Sequence, residues 1–469
     1  MRRSIIAAMT ALSTAPPIVE CGWIDEDTPE RLRTTKSLVD GSTYELVMSD
    51  EFNIPGRSFA DGHDPTWTAL DKSDDDYSAS GGGSLHFYNS SMVSTTPDGF
   101  LTIQSLLETT QWNRHDPIKN EWKQEKKYFK SGNVQSWNKF CFTGGILEVD
   151  LILPGEPDIG GLWPAAWLLG NLGRATYEGS TNMLWPWSYD DCDRKKQESQ
   201  MVSACNKANH FGLNKNQGRG ATEIDLIELM GGDSKGENLP ATDPPIQLPY
   251  ADLTLQIAPG ITENRPQPGS QPIREIDRTH SGYATSVAQN WYDNLTVAGN
   301  TSLNPFFYGT YLGETKKNEP VTRNKNQAFQ ADAVGAMKQL VPEHFKTPHT
   351  FRLEWQPGRG GRLDWFTKSH KKVDGNGTVF HMEGDGKGQD WEHSLHIPDF
   401  ALDEAMGSKI PEEPSYVILN TAISSTWAFP YDVPDWCTQV LRLLRSQVPV
   451  LVQPRILQHD EDRQGRAQD

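Results

Sequence analysis

Apolar residues in this chain recur at every second position, a period that suits strands with one buried face and not helices. Leu147, Val149, Leu151 and Leu153 fall on one side of such a strand, Glu148 and Asp150 on the other, and Pro154-Gly155 ends the run. Phe351, Leu353 and Trp355 alternate in the same way with Arg352 and Glu354, and Tyr416 to Ile423 reads as a strand buried on both faces. Helical spacing is hard to find before residue 435, and 40 Gly and 31 Pro punctuate the 469 residues from end to end. The expectation is one all-β domain over 44–430, made of short strands in two packed sheets. Three insertions are expected as surface loops: 111–130, rich in Lys and Glu; 171–220, rich in Gly, Asn and Asp; and 231–275, rich in Pro.

The two ends differ from this middle. Residues 1–43 form an N-terminal tail that opens Met-Arg-Arg and runs through a weakly apolar stretch, Ile5 to Ala15, diluted by Thr10, Ser13 and Thr14. It has the outline of a weak signal peptide or the remnant of an anchor. Residues 431–469 are expected to be a poorly ordered C-terminal tail. Pro449 and Pro454 fall where an ordered element would need backbone donors, and His459 to Asp469 is almost wholly polar.

Charge and cysteine usage exclude several functions. With 44 Lys and Arg against 62 Asp and Glu, the formal net charge is −18, the opposite of a nucleic-acid footprint. No run approaches the roughly 18 apolar residues that a membrane span needs. The 5 Cys include no CxxC pair and the 12 His no HExxH, so neither a metal nor a cofactor is expected. Cys192 and Cys205 are the disulfide candidate, placed to pin the insertion 171–220. Sequons at Asn89, Asn294, Asn300 and Asn376 are permissive for a secretory location. The 15 Trp suit stacking on sugar rings as well as core packing.

One segment carries chemistry: Thr222-Glu-Ile-Asp-Leu-Ile-Glu-Leu-Met230. On a regular strand Glu223 and Asp225 share a face and Glu228 falls on the opposite one. A β-bulge at Leu226-Ile227 adds one residue and restores the phase, so that all three carboxylates enter one cleft while Ile224 and Leu229 go to the core. Acids so crowded raise at least one another's pKa, which is the condition for retaining glycoside hydrolysis, with one ionised carboxylate as nucleophile and one protonated carboxyl as acid. By itself the pattern is weak. A solvated acidic edge is the competing reading, and it does not explain the apolar residues that fill the alternate positions.

Glu223-Ile-Asp-Leu-Ile-Glu228 resembles the catalytic strand of glycoside hydrolase family 16 in its bulged form, and Gly161-Leu-Trp-Pro-Ala-Ala-Trp-Leu-Leu-Gly170 resembles that family's Trp-Pro-x-x-Trp strand. Further blocks are similar to one branch, the β-1,6-glucan synthesis-associated proteins of fungal-type cell walls. They are Ser49-Asp-Glu-Phe52, Ser131-Gly132, Lys139-Phe-Cys-Phe-Thr-Gly-Gly145, Trp185-Pro-Trp-Ser-Tyr-Asp190, Gly218-Arg-Gly-Ala221, Leu255-Gln-Ile-Ala-Pro-Gly260 and Tyr416-Val-Ile-Leu-Asn420. The resemblance implies a concanavalin-like jelly-roll β-sandwich with a β-glucan cleft, Glu223 as nucleophile, Asp225 as assisting carboxylate and Glu228 as acid/base. It further implies substrate-binding roles for Trp163, Trp167, Trp185, Gln256 and Asn420, with one of the first two tryptophans equally open to a packing role. The partner is then a β-glucan, and the location the secretory pathway, a membrane or the cell surface. Two features depart from the branch: no N-terminal transmembrane anchor is visible, and the residues after Cys437 do not match its closing strand, so an exposed sheet edge is expected. Two function classes stay open, a glycosidase or transglycosylase and a glucan-binding assembly factor without turnover.

Overall fold

The fold is that of a computed structural model, which describes residues 23–73, 84–116, 119–176, 184–188, 220–232, 246–259, 301–304, 333–369, 391–406, 408–424, 428 and 450–459, with seven two- or three-residue strand fragments between 275 and 381. Cys192, Cys205, Asn294, Asn300, Asn376 and the first 22 residues lie outside the described residues. In chain order the strands that build the two large sheets are β1 (Thr34–Lys36), β2 (Thr43–Ser49), β3 (Thr68–Ala69), β4 (Asn133–Gln135), β5 (Gly145–Ile152), β6 (Leu162–Gly170), β7 (Glu223–Met230) and β8 (Tyr250–Gln256). They continue with β9 (Thr296–Val297), β10 (Thr301–Leu303), β11 (Ala333–Gln339), β12 (His349–Gln356), β13 (Arg362–Ser369), β14 (Trp391–Pro398), β15 (Ser415–Ile423) and β16 (Val450–His459).

The cleft sheet runs β10-β11-β8-β7-β6-β15-β4-β3, and the outer sheet runs β1-β2-β16-β5-β12-β13-β14-β9 with the short strand Leu101–Ile103 on the flank of β16. Their inner faces share one core. Leu147, Val149 and Leu151 meet Phe351, Leu353 and Trp355 there, as the period of two predicts, and Ile224, Leu253, Val417 and Leu419 come up from the cleft sheet. The fold is an all-β jelly-roll sandwich. β15 is buried on both faces because Val417 and Leu419 enter the core while Tyr416 and Ile418 pack beneath Leu169 and Trp167 on the cleft side.

Four expectations need correction. Part of the expected C-terminal tail is ordered: β16 lies between β2 and β5, pairing Ile146–Ile152 on one side and Tyr44–Ser49 on the other. Ile456 is in the core and Leu457 packs with Leu46 and Ile146 on the other face, so the closing strand is present and the sandwich runs past 430. Pro454 is tolerated because pairing with β2 ends at Arg455 and pairing with Leu101–Ile103 begins only at Val452, which leaves a flank where no N–H is required. The N-terminal boundary moves as well, since β1 pairs with β2. Most of 111–130 belongs to a long hairpin, Leu106–Asp116 with Glu121–Ser131, and not to a loop. β8 lies inside the Pro-rich stretch 231–275 and is central to the cleft sheet. Among the described residues a short α-helix precedes residue 435, Asp399–Met406, with Ala401 and Leu402 in the core. Among the described residues no helix is long and apolar enough to cross a membrane.

Candidate active site

β7 carries the bulge that its sequence predicts. Against β6 the register runs Leu169↔Glu223, Leu168↔Ile224 and Trp167↔Asp225, then resumes at Ala166↔Ile227 and Ala165↔Glu228, so Leu226 is the extra residue. The shift against β8 falls at the same place, between Asp225 and Glu228. Ile224, Leu226, Ile227 and Leu229 all enter the core, and one oxygen from each of Glu223, Asp225 and Glu228 lies within 4.8 Å of the others on the opposite face. A bulge breaks the ladder and frees a carbonyl. Here the Asp225 carbonyl accepts a hydrogen bond from Trp365 Nε1 (2.9 Å), a core side chain of β13 that reaches across from the outer sheet.

Neutral donors surround the carboxylates. Trp163 Nε1 donates to Glu228 Oε1 (2.9 Å), Trp185 Nε1 to Glu223 Oε2 (2.6 Å), and Gln256 Nε2 to Glu223 Oε1 (3.0 Å) and Asp225 Oδ2 (3.3 Å). Asp225 is fully buried, and its Oδ1 has no hydrogen-bond donor among the described residues. Burial, then the negative charges of Glu228 and Glu223, push the Asp225 carboxyl well above the usual carboxylate range, and its hydrogen bond to Glu223 raises it further. The neutral form of Asp225 is thereby favoured over what an ordinary carboxylate would show. Glu223 is itself pushed up to about 8, by burial and by Glu228, against the lowering effect of the Asp225 and Trp185 donors. Glu228 is raised by burial and relieved by Trp163.

The structure brings Trp163, Trp185 and Gln256 onto the acidic triad. Trp163, Ala165 and Trp167 alternate toward the cleft, and the small Ala165, paired with Glu228, keeps the floor open. Trp167 and Asn420 sit beside this group and bind each other: Trp167 Nε1 donates to Asn420 Oδ1 (2.7 Å), while Asn420 Nδ2 donates to Tyr88 Oη (3.2 Å). Asn420 thus fixes a ring at the rim. The segment holding Trp185 is seated on Gly220, where a Cβ would come within 1.7 Å of the Trp187 carbonyl, so only glycine permits that approach.

A fourth carboxylate escaped sequence reading. Asp252 pairs in register with Glu228, accepts a hydrogen bond from Asn304 Nδ2 (2.8 Å), and is pushed up to about 8 by burial and by the charge of Glu228. The signal was available, since Asp252, Thr254 and Gln256 share one face of a strand and Gln256 was already a candidate.

The chain is similar to several known proteins. A family model described as β-glucan synthesis-associated protein SKN1/KRE6/Sbg1 matches residues 5–319. The β-glucan synthesis-associated protein KRE6 of Saccharomyces cerevisiae is 31% identical over 426 residues, 88% of this chain and 47% of that protein. The corresponding SKN1 of the same yeast is 40% identical over 248 residues, 50% of this chain and 28% of that protein. The chain spans less than half the length of either relative. Among solved structures, the catalytic domain of a Thermotoga petrophila endo-1,3-β-glucanase aligns with a TM-score of 0.42 at 15% identity, covering 89% of this chain and 99% of its own. An endo-β-1,3-glucanase from Pyrococcus furiosus aligns with a TM-score of 0.41 at 16% identity, covering 91% of this chain and 97% of its own.

Proposed function

This chain belongs to the β-glucan synthesis-associated SKN1/KRE6/Sbg1 family, and from that premise we propose that it is a retaining β-glucan-active glycosidase or transglycosylase working on cell-wall glucan in the secretory pathway or at the cell surface. The observation that carries the reading is the bulged strand with three carboxylate oxygens within 4.8 Å. Retaining enzymes hold their two carboxyl groups roughly 5–5.5 Å apart, whereas an inverting pair needs space for a water between them.

Glu223 attacks the anomeric carbon. The Glu223–C1 bond forms as the glycosidic C1–O bond breaks, and Glu228 delivers its proton to the departing oxygen. Asp225, protonated, steadies the Glu223 carboxylate by a hydrogen bond. The charge of Glu228 raises its neighbours. A substrate reverses that order: positive charge developing at the anomeric carbon favours ionised Glu223, and the Glu223 anion then holds the proton on Glu228. In the second step Glu228 takes a proton from water or a sugar hydroxyl, the new C1–O bond forms, and the glycosyl ester to Glu223 breaks with retention. Trp163 and Trp185 offer rings beside the two carboxylates for sugar stacking.

The test uses laminarin (β-1,3), pustulan (β-1,6) and a dinitrophenyl β-glucoside of suitable length. Glu223→Gln should lose several orders of magnitude of turnover on every substrate, since no glycosyl-enzyme forms. Glu228→Gln should still load the activated glycoside and be rescued by azide to a β-glucosyl azide, while Glu223→Ala with azide should give the α-product. Exchanged anomers would swap the two roles. Wild-type activity in both Gln variants, or glucan binding without any turnover in the parent chain, would leave the glucan-binding assembly factor as the reading.

A further inference from the structure

A second bulge, on the outer sheet, builds another cluster that the glucan chemistry does not use. Between β13 and β14 the register runs Asp364↔His396 and Trp365↔Leu395, then jumps to Phe366↔His393, so Ser394 is the extra residue. His393 and His396 are three positions apart and would face opposite ways on a regular strand. The bulge puts both on the outward face with Asp364, while Leu395 and Ile397 stay in the core.

Three donor atoms converge there. His393 Nε2 lies 2.9 Å and His396 Nδ1 2.7 Å from the same Asp364 oxygen, Oδ1. One ligand atom from each residue falls within 4.8 Å of the others. The supporting contacts are those of a built site. Arg362 Nε holds the other carboxylate oxygen, Oδ2, at 3.0 Å and is itself neutralised by Asp40 at 2.9 Å, while Phe366 stacks on the His393 ring at 4.4 Å. Asp364 is fully buried, but the His393 and His396 side chains are 39% and 27% exposed, so the fourth quadrant faces solvent.

We propose that Asp364, His393 and His396 form a binding site for a zinc-class divalent cation, completed by water. As a hydrogen-bonded group the cluster must bring two imidazole N–H bonds onto one oxygen; a metal replaces both protons and is met by two nitrogens and one oxygen, the donor set of three-ligand zinc sites. Two imidazoles disfavour Ca²⁺ and Mg²⁺, which take oxygen ligands. The ion would tie β13 to β14 directly behind Trp365, the residue that holds the Asp225 carbonyl. The proposal does not depend on the glycosidase reading.

The experiment is Zn²⁺ titration of the chelator-stripped full chain by calorimetry, with Co²⁺ as an optical probe for imidazole ligation that the all-oxygen cleft triad cannot imitate. One Zn²⁺ per chain should bind and raise the thermal midpoint. His393→Gln and His396→Gln should each weaken binding by at least about tenfold, and Glu228→Gln should not. Should a His variant misfold by circular dichroism, carbethoxylation of the wild-type chain decides: zinc should slow modification of His393 and His396. No uptake by the wild-type chain, uptake unchanged in both folded His variants, or unaltered histidine reactivity overturns the proposal.

Discussion

The two outward faces of the sandwich treat buried carboxylates in opposite ways. On the outer sheet Arg352 pairs Glu148 at 2.8 Å and Glu354 at 2.7 Å, with Ser37 and the Leu38 N–H of the N-terminal segment closing over Glu354. Burial alone would raise Asp364, yet the imidazoles of His393 and His396 outweigh it and hold the carboxyl below its ordinary value. In the cleft, Glu223, Asp225, Glu228 and Asp252 meet indole and amide donors and one another, and among the described residues no Lys, Arg or His pairs with them. There burial and mutual repulsion win, and Glu223 and Asp252 rise to about 8. Compensated charge makes a frame, and uncompensated charge keeps protons mobile near neutrality, which is what acid/base chemistry requires.

The largest effect that would break this comparison is loss of the frame itself. A chain ending at 449 lacks β16, which pairs β2 and β5 and places Ile456 in the core. It should fail to give a cooperative unfolding transition in urea; a truncated chain that unfolds with the full-length midpoint would show that β16 does not hold the sheet. Next is Glu354→Ala, which takes from Arg352, 2% exposed, the nearer of its two carboxylates and leaves Glu148 at 2.8 Å. Breaking a buried pair from one side costs up to about 3–5 kcal/mol. Turnover per folded molecule should be unchanged, whereas Glu223→Gln should behave in the reverse sense, losing turnover without loss of stability. Trp365→Phe joins the two faces. It keeps the ring in the core but leaves the Asp225 carbonyl unsatisfied, so stability should fall by about 1–3 kcal/mol and turnover should fall with it; stability loss alone would mean that the bulge holds its shape without the indole.

How much of this was legible follows from phase. In Glu-Ile-Asp-Leu-Ile-Glu the break in alternation is written in the residues themselves, so the bulge and the three facing carboxylates could be read directly. The second bulge hid because Ser394 looks like an ordinary polar position and a His spacing of three is no ligand spacing on a regular strand. β16 hid behind Pro454, whose missing N–H is harmless only because β2 and Leu101–Ile103 leave a gap beside it, a fact of tertiary pairing that no local pattern contains. Asp252 was masked by the Pro-rich composition around it. Trp365 was readable as core, but the bond it makes across the sandwich depends on how the sheets meet.

The comparison is also tested through pH. Asp252 in the folded chain is pushed up to about 8, first by burial and then by Glu228. An unfolded Asp titrates near the ordinary carboxylate value, so between about pH 4 and 8 the folded state binds a proton that the unfolded state has released. A raised carboxyl therefore contributes stability at low pH that is lost as pH climbs through its folded value. Asp252→Asn removes that loss while retaining an oxygen for Asn304. The variant should match the parent chain near pH 4, gain on it steadily as pH rises, and hold a constant advantage above about pH 8. Asp364→Asn should run the other way: a lowered carboxyl stabilises above its unfolded value, so this variant should trail the parent at pH 7 and close the gap as acid titrates the group. Urea midpoints across that range separate the two. Parallel curves for Asp252→Asn and the parent would mean that the cleft carboxylate is solvated after all, and that the two faces differ in their partners but not in their electrostatic cost.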